Sequence, residues 1–167
     1  GASTVWGGSS GSGSPLTGAG VTIGIIDTGV DYIHSDFGGT GNLADYQATD
    51  PTAAPTPFYP SPKVVGGVDL AGDAYNGSNL PAPDPNPMDC LGHGTHVAGT
   101  AAGYGVNADG STYAGAYGPS TPFSSLRIGP GAAPRALLYS IRVFGCGGGS
   151  VLGAQGIDWA LDPNGDD

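Results

Sequence analysis

The sequence predicts an α/β domain built on a mostly parallel sheet, and three observations predict it. Apolar, strand-like runs occur at 21–26, 63–68 and 136–144. A run of small apolar residues at 95–102 reads as a buried helix, and a second helical pattern follows the last strand. Strands alternating with helices imply βαβ units, whose parallel strands need crossover connections. Three strands are fewer than a doubly wound sheet usually carries, and the last helix should feed another strand. The 167 residues therefore read as part of a domain.

Each element has its own signal. Residues 1–20, rich in Gly and Ser, read as an irregular lead-in. The run at 21–26 is nearly continuous in Val and Ile and is closed by Asp27-Thr28-Gly29, the pattern of a strand covered on both faces. Residues 38–62 carry Gly, Asp, Pro and Thr without periodicity and read as a long loop; 71–90, proline-rich, reads as another. Between them, 63–68 is the second strand. In the helix at 95–102, Val97, Ala98, Ala101 and Ala102 are small enough for close packing in an interior. Residues 103–131 form a Gly/Pro/Ser-rich connection to the strand at 136–144. Ser150 is placed to cap a helix through Leu161, with Gly153, Ile157, Ala160 and Leu161 along one stripe, and Pro163 ends it.

Composition excludes more than it identifies. The chain holds 33 Gly and 15 Pro yet is 38% hydrophobic, which favours many loops on a compact frame over disorder. Four Lys and Arg face 14 acidic residues, for a formal charge of −10. Such a surface repels phosphate backbones, so nucleic acid is not an expected partner. No apolar run approaches bilayer-spanning length and nothing resembles a signal peptide, so no membrane association is expected. The chain begins with Gly-Ala-Ser, not Met, and its true start is expected to have been removed or left out.

The chemistry concentrates at Asp27 and at His93, in the segment HGTHVAGT. A carboxylate at the carboxyl end of a parallel strand stands where open α/β sheets place their sites. An imidazole between Gly92 and Gly94 at a helix start leaves room for a substrate backbone. Together they supply two members of a Ser-His-Asp machine, in the chain order Asp then His. Taken singly, Asp27 also suits a turn cap and His93 a structural role. His93 and His96 lie i,i+3, but a zinc-protease helix uses HExxH with a Glu beside the first His, and Gly94 stands there. No metal is therefore assigned; His96 reads as a buried, hydrogen-bonded helix residue and His34 as structural. No serine fits the nucleophile's role: Ser111 has no following small-residue helix.

Three ordered motifs carry a family resemblance. GVTIGIIDTGVDYIHSDFGG, CLGHGTHVAGTAAG and GAAPRALLYSIRVFG resemble, in that order, the Asp region, the His region and the cleft strand of subtilisin-like serine proteases, the subtilases. The likeness runs from about residue 20 to 160 and is greatest to large secreted bacterial members. It implies a partial, three-layer subtilisin-like fold lacking its C-terminal half. Residues 1–167 would be the N-terminal part of one catalytic domain, with an insertion at about 38–88.

The resemblance also implies a function, a serine-type endopeptidase acting on polypeptides. Its nucleophile Ser and oxyanion-hole Asn lie outside this chain, so the chain alone is expected to be inert. A non-catalytic binding module on the same frame is the alternative. Phe144 would wall subsites, and Gly147, Gly148, Gly149 and Ser150 would form the edge that pairs with a bound peptide. Cys90 and Cys146 would form a disulfide, implying secretion into an oxidising compartment. No cofactor is required and a monomer is expected. Asp162-Pro163-Asn164-Gly165-Asp166 spaces oxygen ligands like part of a Ca²⁺ loop, although Asp167 stands where such a loop has Gly. A solvated acidic turn is the plainer account.

Overall fold

A computed structural model describes residues 1–8 and 15–163. The elements, in chain order, are α1 (Ala2–Trp6), β1 (Thr22–Asp27), α2 (Leu43–Ala48), β2 (Val64–Asp69), α3 (His93–Ala102), β3 (Val106–Asn107), β4 (Leu126–Ile128), β5 (Leu137–Arg142) and α4 (Gly153–Leu161). β1, β5 and β2 form a parallel sheet in that order, and β3 pairs with β4 antiparallel.

Two cores follow from the period of two along the strands. Ile25 and Leu138 project to one face with Val64 and meet Ala98 and Ala102 of α3. Ile141 projects to the other, with Ile26 and Val68, against Leu152 and Trp159 at α4. Helices thus cover both faces of the parallel sheet, the layered α/β arrangement. Among the described residues, no helix is long and apolar enough to cross a membrane.

Register places three charged residues in one row at the carboxyl ends of the strands. Asp27 of β1 and Asp69 of β2 both stand opposite Arg142 of β5. Neighbours in a parallel register project to the same face. All three side chains therefore lie on the α3 side.

Several local expectations are corrected. The lead-in contains α1, anchored by buried Trp6, whose Nε1–H donates to the Ala132 carbonyl at 2.8 Å. The loop at 38–62 contains α2, capped by Asn42, whose side chain accepts from Ala44 N at 2.9 Å. Six residues are too few for a periodic signal, so the cap was the only cue. β1 is less covered than its Val/Ile run suggests: Ile25 alone is buried within it. In α4 the buried helical residue is Gly156, whereas Ile157 and Leu161 of the expected stripe are 55% and 78% exposed. Ser150 does not cap that helix; it stands two residues before the N-cap Leu152, from whose N–H its Oγ accepts.

Candidate active site

The carboxyl end of β1 delivers Asp27 and the first residue of α3 delivers His93. His93 Nδ1 lies 2.8 Å from Asp27 Oδ1 and 2.9 Å from Oδ2. A carboxylate only accepts, so the Nδ1 proton lies in this contact, and in the neutral ring Nε2 keeps its lone pair. The His93 side chain is 71% exposed while that of Asp27 is 14% exposed. An enclosed carboxylate therefore holds an open imidazole. Thr28 N also donates to Asp27 Oδ1, at 2.7 Å. The imidazole pKa is raised above its ordinary value, first by the hydrogen bond to Asp27 and then by that carboxylate's charge. Desolvation opposes the rise, and the charge of Asp89 adds to it.

Close backbone approach makes the pairing reachable. A Cβ on Gly94 would collide with the Gly29 carbonyl oxygen and stand 3.1 Å from Asp27 Cβ. The first turn of α3 thus rests directly on the turn after β1, and only glycine fits between them. Gly92 precedes the helix at φ +88° and has no side chain to cap it. Capping comes from elsewhere: Thr28 Oγ1 accepts from Gly94 N at 2.7 Å, and Asp89 Oδ2 accepts from Thr95 N at 2.9 Å.

Arg142, fully buried, organises the other side. Its Nε donates to the Phe144 carbonyl at 2.9 Å, and Nη1 donates to Asp73 Oδ1 at 2.8 Å and the Met88 carbonyl at 3.1 Å. Nη1 also lies 3.0 Å from Asp69 Oδ2, an ion pair by distance. Its hydrogens are aimed at Asp73 and Met88 instead, and Oδ2 is left without a hydrogen bond. Burial raises the Asp69 pKa, although backbone amides and Arg142 oppose the rise.

Cys90 and Cys146 form a disulfide across 56 positions, and Arg142 Nη2 touches both sulfurs at 3.1 and 3.3 Å. In the loop-closure account, a tether of that span contributes on the order of 4 kcal/mol. It joins the segment just before His93 to the segment just after Phe144.

The remaining candidates sit as follows. Phe144 is half-buried, and beyond it Gly148 N donates to the Gly145 carbonyl at 3.1 Å. Gly148 and Gly149 have φ of +73° and +82°, so the segment at 147–149 is a turn here and not an extended edge. His96 is exposed, contrary to the buried role expected of it. His34 is half-buried and its Nδ1 accepts from Asp36 N at 3.1 Å. Ser111 is exposed and its Oγ donates to Asp109 Oδ1.

Among the described residues, no serine hydroxyl hydrogen-bonds His93. The three-ligand cluster there, Asp73, Cys90 and Cys146, has both sulfurs committed to the disulfide. Residues 164–167, most of the acidic turn, lie outside the described residues. Two cavities of about 460 Å³ flank the outer face of α3 and share His34, Gly92 and Thr95. Neither is lined by Asp27 or His93, so the hydrogen-bond geometry locates the site and cavity size does not.

Fold and site together define a class: an α/β protein with an Asp–His pair where a parallel strand ends and a buried helix begins. The subtilase family model matches residues 18–167, and the chain belongs to that family. It is 31% identical over 146 residues to Subtilisin DY of Bacillus licheniformis, covering 86% of this chain and 33% of the relative. It is also 31% identical over 144 residues to Alkaline serine exoprotease A of Vibrio alginolyticus, covering 85% and 16%. With the Minor extracellular protease Vpr of Bacillus subtilis it shares 30% over 132 residues, covering 79% and 11%. The chain thus spans a third or less of these relatives. A cold adapted subtilisin-like serine proteinase of known structure aligns with a TM-score of 0.44 at 26% identity, over 87% of this chain and 33% of that one.

The sequence did not single out Asp89, Thr28 or Arg142. Asp89 had a local signal, an Asp placed two and three residues before backbone amides it can accept from. Arg142, inside an apolar run, had none beyond its oddity there.

Proposed function

We propose that this chain supplies the Asp and His of a subtilisin-type serine endopeptidase, and that a segment outside the 167 residues supplies the nucleophile Ser and the oxyanion-hole Asn. Residues 1–167 are then the N-terminal part of one catalytic domain, with the insertion at about 38–88 and the Gly/Pro-rich connection at 103–131. The single observation that carries the reading is the hydrogen bond from His93 Nδ1 to Asp27. It fixes the tautomer in which Nε2 accepts a proton.

In the reaction, Nε2 takes the proton of the serine hydroxyl as that oxygen attacks the peptide carbonyl. Asp27 holds the ring and stabilises the imidazolium. His93 then gives the proton to the leaving amine, and water hydrolyses the acyl-enzyme by the same route. Phe144 walls the neighbouring subsites. Gly147, Gly148, Gly149 and Ser150 pair with the substrate main chain once the turn at 147–149 opens. Recognition through the main chain suits polypeptides of many sequences.

The disulfide supports folding in an oxidising compartment, and so secretion, as the extracellular relative's name suggests for that protein. The working form is a monomer, and no cofactor takes part in the reaction. Any Ca²⁺ held by the acidic segment at 162–166 would be structural.

A longer polypeptide that continues past Asp167 should hydrolyse casein, while the 167 residues alone leave it uncut. Replacing His93 by Ala in the longer chain should lower kcat by about 10⁶-fold. Unchanged turnover in that variant defeats the reading. A longer polypeptide that binds peptides without cleaving them establishes the binding-module alternative.

A further inference from the structure

We infer that Asp89 is a positioning residue for His93: its buried carboxylate locks the turn bearing the imidazole onto Thr28, and through Thr28 onto Asp27. The inference rests on the reading of Asp27 and His93 as catalytic partners.

Asp89 is 3% exposed and receives five hydrogen bonds, all from donors. Oδ1 accepts from Thr28 Oγ1 at 2.9 Å, Leu91 N at 2.8 Å and Gly92 N at 2.9 Å. Oδ2 accepts from Thr95 N at 2.9 Å and Thr95 Oγ1 at 2.5 Å. One side chain therefore closes the loop before His93, caps the helix after it and grips the strand turn that carries Asp27. A helix cap alone would need only the second set.

Thr28 is the joint between the two carboxylates. Its hydroxyl proton goes to Asp89, its oxygen accepts from Gly94 N, and its own amide donates to Asp27 Oδ1. The residue immediately after His93 is thus tied to the residue immediately after Asp27. Moving Asp89 moves both ends of the Asp27–His93 contact. Because every partner is a donor, only a carboxylate satisfies both oxygen sets. An Asn at this position sets an amide N–H₂ against a donor on one side and leaves a buried N–H unpaired. Asp27 and Asp89 are also the charged groups that act on the His93 ring, both in the direction that favours the imidazolium.

The test is NMR on the intact chain, reading the His93 Nδ1–H resonance and the imidazole titration in Asp89→Asn, Thr28→Val and Thr28→Ser. Asn42→Ala, which removes the cap of α2, is the control for loss of a cap alone. We expect Asp89→Asn and Thr28→Val to move the Nδ1–H resonance upfield and the imidazole pKa down. Thr28→Ser, which keeps the hydroxyl, and Asn42→Ala should leave both in place. In the longer polypeptide the two disruptive variants should lose kcat by about 10- to 100-fold with KM unchanged.

If Asp89→Asn does not fold, the Thr28 pair carries the test, since Val keeps the shape of Thr. A folded Asp89→Asn or Thr28→Val with the wild-type resonance and titration overturns the inference and leaves Asp89 a cap only. The NMR readout needs no turnover. A longer polypeptide that is inactive with an intact Asp27–His93 resonance sinks the peptidase reading and not this one.

Discussion

On the α3 face of the sheet the helix lies close: Gly94 rests on the Gly29 carbonyl, and Ala98 and Ala102 are fully enclosed beside Ile25 and Leu138. On the α4 face one glycine, Gly156, sits between Ile26 and Val143, Trp159 packs beside Tyr139, and Ile157 and Leu161 turn outward. The first face holds the Asp27–His93 pair; of the candidate residues, Phe144 packs against the second core. The difference teaches where precision is located. A site that must bring a strand carboxylate within 3 Å of a helix imidazole needs small residues and fixed caps, because one added methyl group separates the elements.

The largest expected effect breaks the site and leaves both faces intact. Replacing Asp27 by Asn in the longer polypeptide should lower kcat by about 10⁴-fold, through the wrong imidazole tautomer, with little change in thermal stability. The same change should lower the His93 pKa, since its first cause is removed. Catalysis through His93 would need the neutral ring, so activity of the unaltered longer polypeptide should fall as pH drops through the raised imidazole pKa. In Asp27→Asn the residual activity should persist to lower pH. Stability runs the other way. A raised folded-state pKa gives its contribution below the unfolded value and loses it as pH rises through the folded one. A pH–rate profile whose acid limb does not move would remove Asp27 as the partner of His93.

Next in size is a matched pair of glycine substitutions, one on each face. Gly94→Ala should destabilise by about 3 kcal/mol or more, because the new methyl meets backbone on a strand turn that cannot retreat. Gly153→Ala should stabilise by about 0.5–1 kcal/mol, since that position opens α4 with nothing within 4 Å. Denaturant unfolding measures both. Equal effects at the two sites would erase the contrast between the faces.

How much of this was readable beforehand varies with the length and period of the signal. The strands β1, β2 and β5 were placed to within two residues at either end, because long Val/Ile/Leu runs have few other uses in a chain so rich in glycine. Asp27 and His93 stood out together, through the strand-ending Asp-Thr-Gly and the segment HGTHVAGT, and their side chains are in contact. α2 was not, at six residues; nor was α1, which exists because Trp6 reaches the Ala132 carbonyl 126 positions away. Asp89 and Arg142 were invisible as organisers for a related reason. Their partners, at Thr28, Met88, Asp69 and Asp73, are joined to them only once the sheet has formed. The α4 stripe differs: an apolar period ordinarily marks an inward face, whereas this helix turns Gly156 and Trp159 inward and Ile157 out.

That outward stripe yields the smallest predicted effect and the sharpest form of the comparison. In the 167-residue chain, Ile157→Lys and Leu161→Lys should each change stability by no more than about 0.5 kcal/mol, as exposed positions do. In the longer polypeptide, the proposed remainder of the domain would cover this face. The same two changes should then cost about 2 kcal/mol or more each, the penalty of forcing a charge into an apolar contact. Unfolding curves of both lengths decide it. A large loss in the short chain would mean that α4 buries this stripe already. A negligible loss in the long one would mean that the face stays open, and that the second layer of helix is finished by α4 alone.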